Sequence, residues 1–170
     1  ATIAETMPGL ATPEEAIEIL KPDWAGIGVL AQAYSKAEFD AEANQLWERY
    51  LDAGKRYLQS SLTDQDYESA MLSLRTAYLA RNERDQSIRL LSHGLKRLPQ
   101  SVPLRKALGG DLLDARRSAE AADHLVWCAA RLPDDTSLQQ AAARAVKERL
   151  KSESLSADRR PVPSRGDVIR

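Results

Sequence analysis

The chain has 170 residues and a formal net charge of -1 at pH 7, and this near-neutral charge argues against a nucleic-acid-binding protein, which uses a basic excess to contact phosphates. Hydrophobic residues make up 43% and charged residues 29%, a balance that permits a buried core and excludes wholesale disorder. Aromatic residues amount to 5%, whereas strong helix formers such as Ala, Leu, Arg and Glu recur throughout, so helices are favoured over sheets.

The sequence also bears on membrane segments, disulfide bonds and processing. No apolar run approaches the roughly 18 residues that a membrane-spanning helix needs, so no transmembrane segment is predicted. Cys128 is the single cysteine, which rules out an internal disulfide bond. The chain begins at Ala1 without a methionine or a basic-then-apolar leader. We therefore expect a processed or trimmed product, and its compartment stays open between the cytoplasm and an extracytoplasmic space.

Residues 1–22 are predicted to form an N-terminal extension that carries one short helix. Thr12 can cap this helix and Pro13 suits its first position, while the two glutamates that follow favour the positive end of the helix dipole. The helix is expected to end near Leu20, before a Lys-Pro-Asp sequence whose Asp23 can cap the next helix.

From residue 23 onward the sequence predicts a series of helices separated by short breaks. The predicted helices span residues 23–35, 38–60, 64–81, 84–97, 102–115, 118–131 and 135–150. Short linkers make neighbouring helices pack antiparallel. We expect residues 151–170 to form a flexible tail, because they carry Pro161, Pro163 and many charges and can bury little surface.

An internal repeat is marked by two similar segments that end in Pro99 and Pro133, which lie 34 residues apart. This period resembles that of the tetratricopeptide repeat (TPR) family, whose repeat has small and large residues at fixed positions. Counting back from each proline gives copies that begin at Glu68 and Val102. Both copies place small residues at the small positions of the second helix (Ser87, Gly94, Ala121, Cys128) and large residues at the large positions (Leu74, Tyr78, Leu91, Leu108, Leu112, Leu125).

Two weaker copies of the same frame flank these repeats. One begins at Thr136 and covers half a repeat, as a polar-faced capping helix would. The other begins at Trp24, 44 residues before Glu68, and it puts Tyr50 at a small position for which tyrosine is too large. The resemblance implies a degenerate helical hairpin over 23–67, and two repeats plus a C-terminal capping helix over 68–150. It also implies an all-α fold in which antiparallel helix hairpins stack as a short right-handed solenoid.

The resemblance implies a non-catalytic protein–protein interaction module, an adaptor or scaffold that binds a partner peptide or domain in the groove lined by its first helices. In this frame the partner-binding residues are Leu72, Thr76, Leu79, Lys106, Gly110, Leu113, Arg144 and Lys147. The leucines would form an apolar strip with basic residues at one end, suited to a segment with apolar anchors and an acidic end. Equally, the leucines can simply pack on a neighbouring helix.

Two other functional classes are weighed beside this one. A structural or assembly subunit would be held permanently in a larger complex through its termini and convex face. An enzyme would need paired ionisable groups in a pocket, and the sequence offers none, so no catalytic residue or cofactor is predicted. His124 and Cys128 have a spacing that can hold a metal, but two ligands make a poor site and no metal is predicted.

The three tryptophans and one tripeptide complete the candidate contacts. Trp47 falls at a core position, and Trp24 is expected to pack between the lead helix and the repeats. Trp127 falls nearer the convex face, where tryptophan is a favoured partner anchor, although it can equally serve packing. Residues 165–167 spell the integrin-binding sequence Arg-Gly-Asp, which is short enough to occur by chance.

Overall fold

The computed structural model describes residues 12–20 and 23–157. Over these residues the chain forms helices joined by turns and loops, as the sequence predicts. The eight helices are α1 (Pro13–Leu20), α2 (Trp24–Lys36), α3 (Asp40–Leu58), α4 (Asp64–Ala80), α5 (Arg84–Arg97), α6 (Val102–Asp114), α7 (Ser118–Ala129) and α8 (Thr136–Ala157). In this part of the chain, no helix is both long and apolar enough to cross a membrane.

The helix ends follow the sequence prediction closely except at α8. This helix continues to Ala157, whereas the sequence predicted an end near residue 150 and a flexible tail beyond it. The extension has a local cause, because no glycine or proline interrupts the helix and Arg149 Nε donates to Glu153 Oε1 at 3.2 Å one turn later. Residues 151–157 are therefore helical, and residues 158–170 lie outside the described part of the chain.

The chain divides into two compact units, residues 1–107 and 108–170. In the described part of the first unit, one core cluster is formed mainly by α2, α3 and α4, with Leu30, Leu46 and Leu74 each at most 1% exposed. Ala16 of α1 belongs to the same cluster, which explains why the lead helix packs on this unit. In the second unit α7 and α8 pack against each other, and Leu138 is 1% exposed.

Three turns of the same type join the first and second helices of the hairpins. Each contains a residue with positive φ: Glu38 at 62°, Asn82 at 58° and Arg116 at 60°. The next residue then donates its N–H to the carbonyl oxygen five residues earlier: Phe39 to Tyr34 at 3.0 Å, Glu83 to Tyr78 at 2.8 Å and Arg117 to Leu112 at 2.9 Å. This is the Schellman arrangement that ends a helix. Its recurrence at positions 82 and 116 confirms the 34-residue period.

The starts of the helices alternate in the same regular way. Each first helix is capped by a side chain that accepts a backbone N–H three residues later: Asp23 from Gly26, Thr63 from Asp66, Ser101 from Leu104 and Asp135 from Leu138. The second helices have no side-chain cap, because the chain enters them directly from the Schellman turn. The loops that contain Pro99 and Pro133 also close with equivalent hydrogen bonds, at 3.1 and 3.2 Å.

Tyr50, which the sequence frame marks as too large, is accommodated by an exchange of sizes within the first hairpin. Gly28 faces it so closely that a Cβ there would lie 2.8 Å from Tyr50 Cε2. Trp24 stacks on the Tyr50 ring with the two centroids 5.1 Å apart, and its indole N–H donates to the Tyr50 carbonyl oxygen at 3.0 Å. The side chain of Trp24, at the start of α2, therefore packs on α3 of the same hairpin.

Candidate partner-binding surfaces

The first unit presents an apolar stripe along α4. Leu72, Thr76 and Leu79 are spaced four and three residues apart, which places them on one side of the helix. The two leucines are partly buried and Thr76 is exposed. The Thr76 hydroxyl donates to the Leu72 carbonyl oxygen at 3.2 Å, so it is satisfied within the helix. We call these three residues the α4 stripe.

The orientation of the α4 stripe is fixed by the opposite side of the helix. Met71 and Leu74 are fully buried and Tyr78 is 8% exposed, so rotating α4 would expose large apolar side chains to water. At about 25 cal/mol per Å² of apolar surface, exposing even one of them would cost about 1.5–3 kcal/mol. Lys106, the other predicted contact in this unit, is exposed on α6.

The predicted contacts in the second unit have different environments. Gly110 borders open space, since a Cβ built there would meet no heavy atom within 4 Å. Leu113 is only 6% exposed, so it offers a partner little surface and fits the packing interpretation. Arg144 is exposed and donates from Nε to Glu148 Oε1 at 2.9 Å. This hydrogen bond raises the pKa of Arg144, with smaller contributions from the charges of Glu148 and Asp114.

Lys147 lies at a surface that the sequence did not single out, a groove between α7 and α8. The groove has a volume of about 640 Å³, and its lining residues include Val126 and Ala129 of α7 and Ala143, Val146, Lys147 and Leu150 of α8. Val126 is 47% and Leu150 57% exposed. We call it the α7–α8 groove. The signal for it was present in the sequence, because a half repeat leaves its core positions without a second helix.

A polar cavity in the first unit is accounted for by the hydrogen bonds of Arg81. Arg81 lies beside it with Glu48 and Glu83. Its guanidinium donates to Glu83 Oε1 at 2.8 Å, to Glu48 Oε1 at 3.2 Å and to the Asn44 carbonyl oxygen at 3.2 Å. The side chain of Arg81 is 17% exposed. These contacts tie the α4–α5 turn to α3, so we assign the cavity a packing role.

The remaining sequence candidates are placed as follows. Trp47 is 4% exposed, which confirms its core position, and Cys128 is fully buried. The Arg131 guanidinium carbon lies 3.4 Å from the centre of the Trp127 ring, so one face of this candidate anchor is covered. Within residues 12–20 and 23–157, no group of three or more His, Cys, Asp or Glu side chains could hold a metal ion. The tripeptide 165–167 lies outside the described residues.

Comparison with known proteins identifies the fold. No protein-family model matches the chain, and no curated protein matches it. Among solved structures, MamA MSR-1 aligns with a TM-score of 0.56 and 21% identity over 84% of this chain and 76% of its own. MamA AMB-1 aligns with a TM-score of 0.54 and 22% identity over 84% and 72% of the two chains.

A third solved structure is the C-terminal TPR-containing domain of a putative FK506-binding protein from Plasmodium falciparum. It aligns with a TM-score of 0.56 and 17% identity over 84% of this chain and 96% of its own. The chain has an all-α, TPR-like helical-repeat fold. At these identities the likeness bears on fold, and function has to be argued from the surfaces.

Proposed function

We propose that this chain is a non-catalytic protein-interaction module, an adaptor or scaffold that holds a partner peptide or domain against the α4 stripe. The observation that carries the proposal is the stripe itself: Leu72 and Leu79 keep part of their apolar surface in solvent on a helix whose other side is locked into the core. Apolar side chains on a rigid helix can anchor a ligand with little loss of side-chain entropy.

The spacing of the stripe limits the ligand. At a rise of 1.5 Å per residue, Leu72 and Leu79 lie about 10 Å apart along α4. Two apolar anchors match this distance when they are about seven residues apart in a helix or three apart in an extended segment. Exposed Lys106 suits an acidic residue on the ligand. Gly110 and Arg144 belong to the second unit and are predicted contacts of that unit taken by itself, whereas Leu113 is only 6% exposed and has little surface to contribute.

The proposal is tested by affinity capture with the purified chain as bait. Leu72→Asp combined with Leu79→Asp should abolish capture of the partner, since two charges would replace the apolar anchors. Thr76→Arg, at an exposed position, should block the same stripe without burying a charge. Leu155→Asp is the matched control, because Leu155 is 54% exposed and lies outside the stripe. Circular dichroism at 222 nm checks that each variant keeps its helicity.

The outcomes distinguish a partner bound at the α4 stripe from the alternative function, a structural subunit held through its termini. A partner that is captured by the parent and by Leu155→Asp, and is lost from both stripe variants, supports the proposal. Equal recovery by the parent and Thr76→Arg overturns it. If the partner is instead lost when residues 1–22 or 151–170 are removed, and the shortened chain keeps the helicity of its remaining helices by circular dichroism, the chain is a subunit held in a larger complex through its termini.

A further inference from the structure

The hairpins are α2–α3, α4–α5 and α6–α7, and α8 is the first helix of a fourth. The α7–α8 groove exists because no second helix of this fourth hairpin follows α8 within the described residues. Glu38, Asn82 and Arg116, the turn residues with positive φ, each stand at the fifteenth position of their repeat frame. In the frame that begins at Thr136, the fifteenth residue is Leu150. Leu150 is helical, and α8 continues past it to residue 157. Up to that residue, no second helix turns back against α8.

Comparison with the preceding repeat shows what the missing helix would have covered. Gly109 and Leu112 of α6 are buried, and a Cβ on Gly109 would lie 2.7 Å from Leu125 Cγ of α7. The equivalent residues of α8, 34 positions later, are Ala143 and Val146. Ala143 is exposed and Val146 only partly buried. The α8 helix therefore keeps the small and apolar residues of a first helix, but the large side chain that should cover them is absent from the described residues.

The sequence that follows α8 is poorly suited to supply this cover as a helix. By the repeat frame, the counterpart of α7 (Ser118–Ala129) would span residues 152–163. The first six of these residues already belong to α8. The rest include Pro161 and Pro163, and proline in a helix interior costs about 3 kcal/mol.

We propose that the α7–α8 groove binds an amphipathic helix of a partner protein, which takes the place of the missing second helix. The structure gives its chemistry. A large aliphatic residue would pack on Ala143 as Leu125 packs on Gly109, and the helix needs about the length of α7, which has 12 residues. Among the lining residues of the groove, Lys147 carries the only charge, so the flank of the helix that faces it carries Asp or Glu.

A second copy of the chain fits this groove less well. A two-fold contact repeats the same residues on both sides. Pairing two α7–α8 grooves would therefore place Lys147 of both copies at one interface, and the two like charges would repel each other. An acidic helix meets no such repulsion.

The probe for the test is a labelled peptide with the sequence of residues 118–130 and Cys128→Ala, because α7 is a second helix of this same repeat and carries Leu125, Glu120 and Asp123, and this span leaves out the flanking Arg117 and Arg131. Fluorescence anisotropy with the full chain should show saturable binding with a Kd below about 1 mM, and a scrambled peptide should not bind.

Groove variants locate the binding site of the peptide. Leu150→Glu changes a residue that is 57% exposed, so it should leave the fold intact while weakening binding at least ten-fold; Val146→Glu serves as a second groove variant. Ser152→Glu adds the same charge at an exposed position of α8 outside the groove lining and should bind like the parent. Lys147→Glu should weaken binding more at low salt than at high salt, as expected for an ion pair at the rim.

Three results would overturn the proposal. The first is no saturable binding by the parent chain. The second is equal affinity of the parent and Leu150→Glu, which would mean that the peptide replaces the chain's own α7 or binds elsewhere. The third is a parent dimer in sedimentation velocity that Leu150→Glu converts to monomer, because the groove would then be filled by a second copy. Binding that depends on Leu150 but not on Thr76 supports this inference independently of the α4 stripe.

Discussion

Gly109 and Gly110 are neighbours on α6 with opposite surroundings, so alanine at the two positions should change stability in opposite directions. A Cβ on Gly110 meets nothing within 4 Å. A Cβ on Gly109 would lie 2.7 Å from Cγ and 2.8 Å from Cδ2 of Leu125, and 3.4 Å from Cβ of His124. Leu125 is 2% exposed, and the nearest contact is its branching carbon, so it cannot move aside without shifting α7.

The sizes of the two stability changes follow from two free-energy terms, helix propensity and overpacking. Alanine in place of glycine in a helix interior stabilises by about 0.5–1 kcal/mol, and this gain applies equally at both positions. Overpacking a well-filled core costs about 1–3 kcal/mol, and this cost applies only at Gly109. Gly110→Ala should therefore be more stable than the parent, and Gly109→Ala should be less stable than Gly110→Ala by about 1–3 kcal/mol.

Urea unfolding followed by circular dichroism at 222 nm measures both differences. A third comparison tests the cause. In a Leu125→Ala background the crowding is removed, so Gly109→Ala should recover the helix-propensity gain and become stabilising, with a coupling energy of about 0.5–3 kcal/mol. If Gly109→Ala is as stable as Gly110→Ala in the parent background, α6 and α7 do not approach each other at Gly109 and Leu125 as closely as these distances require.

Two further predictions concern the helix ends. Arg116→Gly should raise the free energy of unfolding by about 0.5–1 kcal/mol, because a non-glycine residue is strained at positive φ. The midpoint of urea unfolding measures this change. Asn82→Gly should shift the midpoint less, since asparagine tolerates that conformation. Asp135→Ala should lower the free energy of unfolding by about 1 kcal/mol through loss of the α8 cap, and thermal unfolding measures this change. Asp134 is exposed in the same turn, so Asp134→Ala should change the free energy of unfolding by less than about 0.5 kcal/mol.

For the predicted partner-binding residues, the sequence indicated their positions in the repeat but not their accessibility. Leu72, Leu79 and Leu113 look alike in the repeat frame, yet Leu113 is nearly buried while the other two keep part of their surface exposed. Accessibility depends on which neighbouring side chains reach the same face, and a repeat frame does not contain that information. Their role in binding remains a prediction until the variants are measured.

The sequence by itself determined the helices and their period. Capping residues, helix-forming stretches and the paired prolines at 99 and 133 act within a few residues of one another, so they specify the boundaries without reference to the rest of the fold. The end of α8, which lies at Ala157 and not near residue 150, is the exception. Asn82 has positive φ in a helix-ending turn, and its local sequence is compatible with this because asparagine adopts the left-handed conformation more readily than most residues.

Tertiary structure alone decided the features that depend on contacts between helices. Glu38 and Arg116 have no local preference for positive φ, and they adopt it because the helices on either side must pack against each other. The exchange of sizes between Gly28 and Tyr50 and the uncovered face of α8 likewise appear only when two helices are brought together. Caps and prolines act locally on helix ends, whereas the turns at Glu38 and Arg116 and the surface contacts depend on residues far apart in the chain.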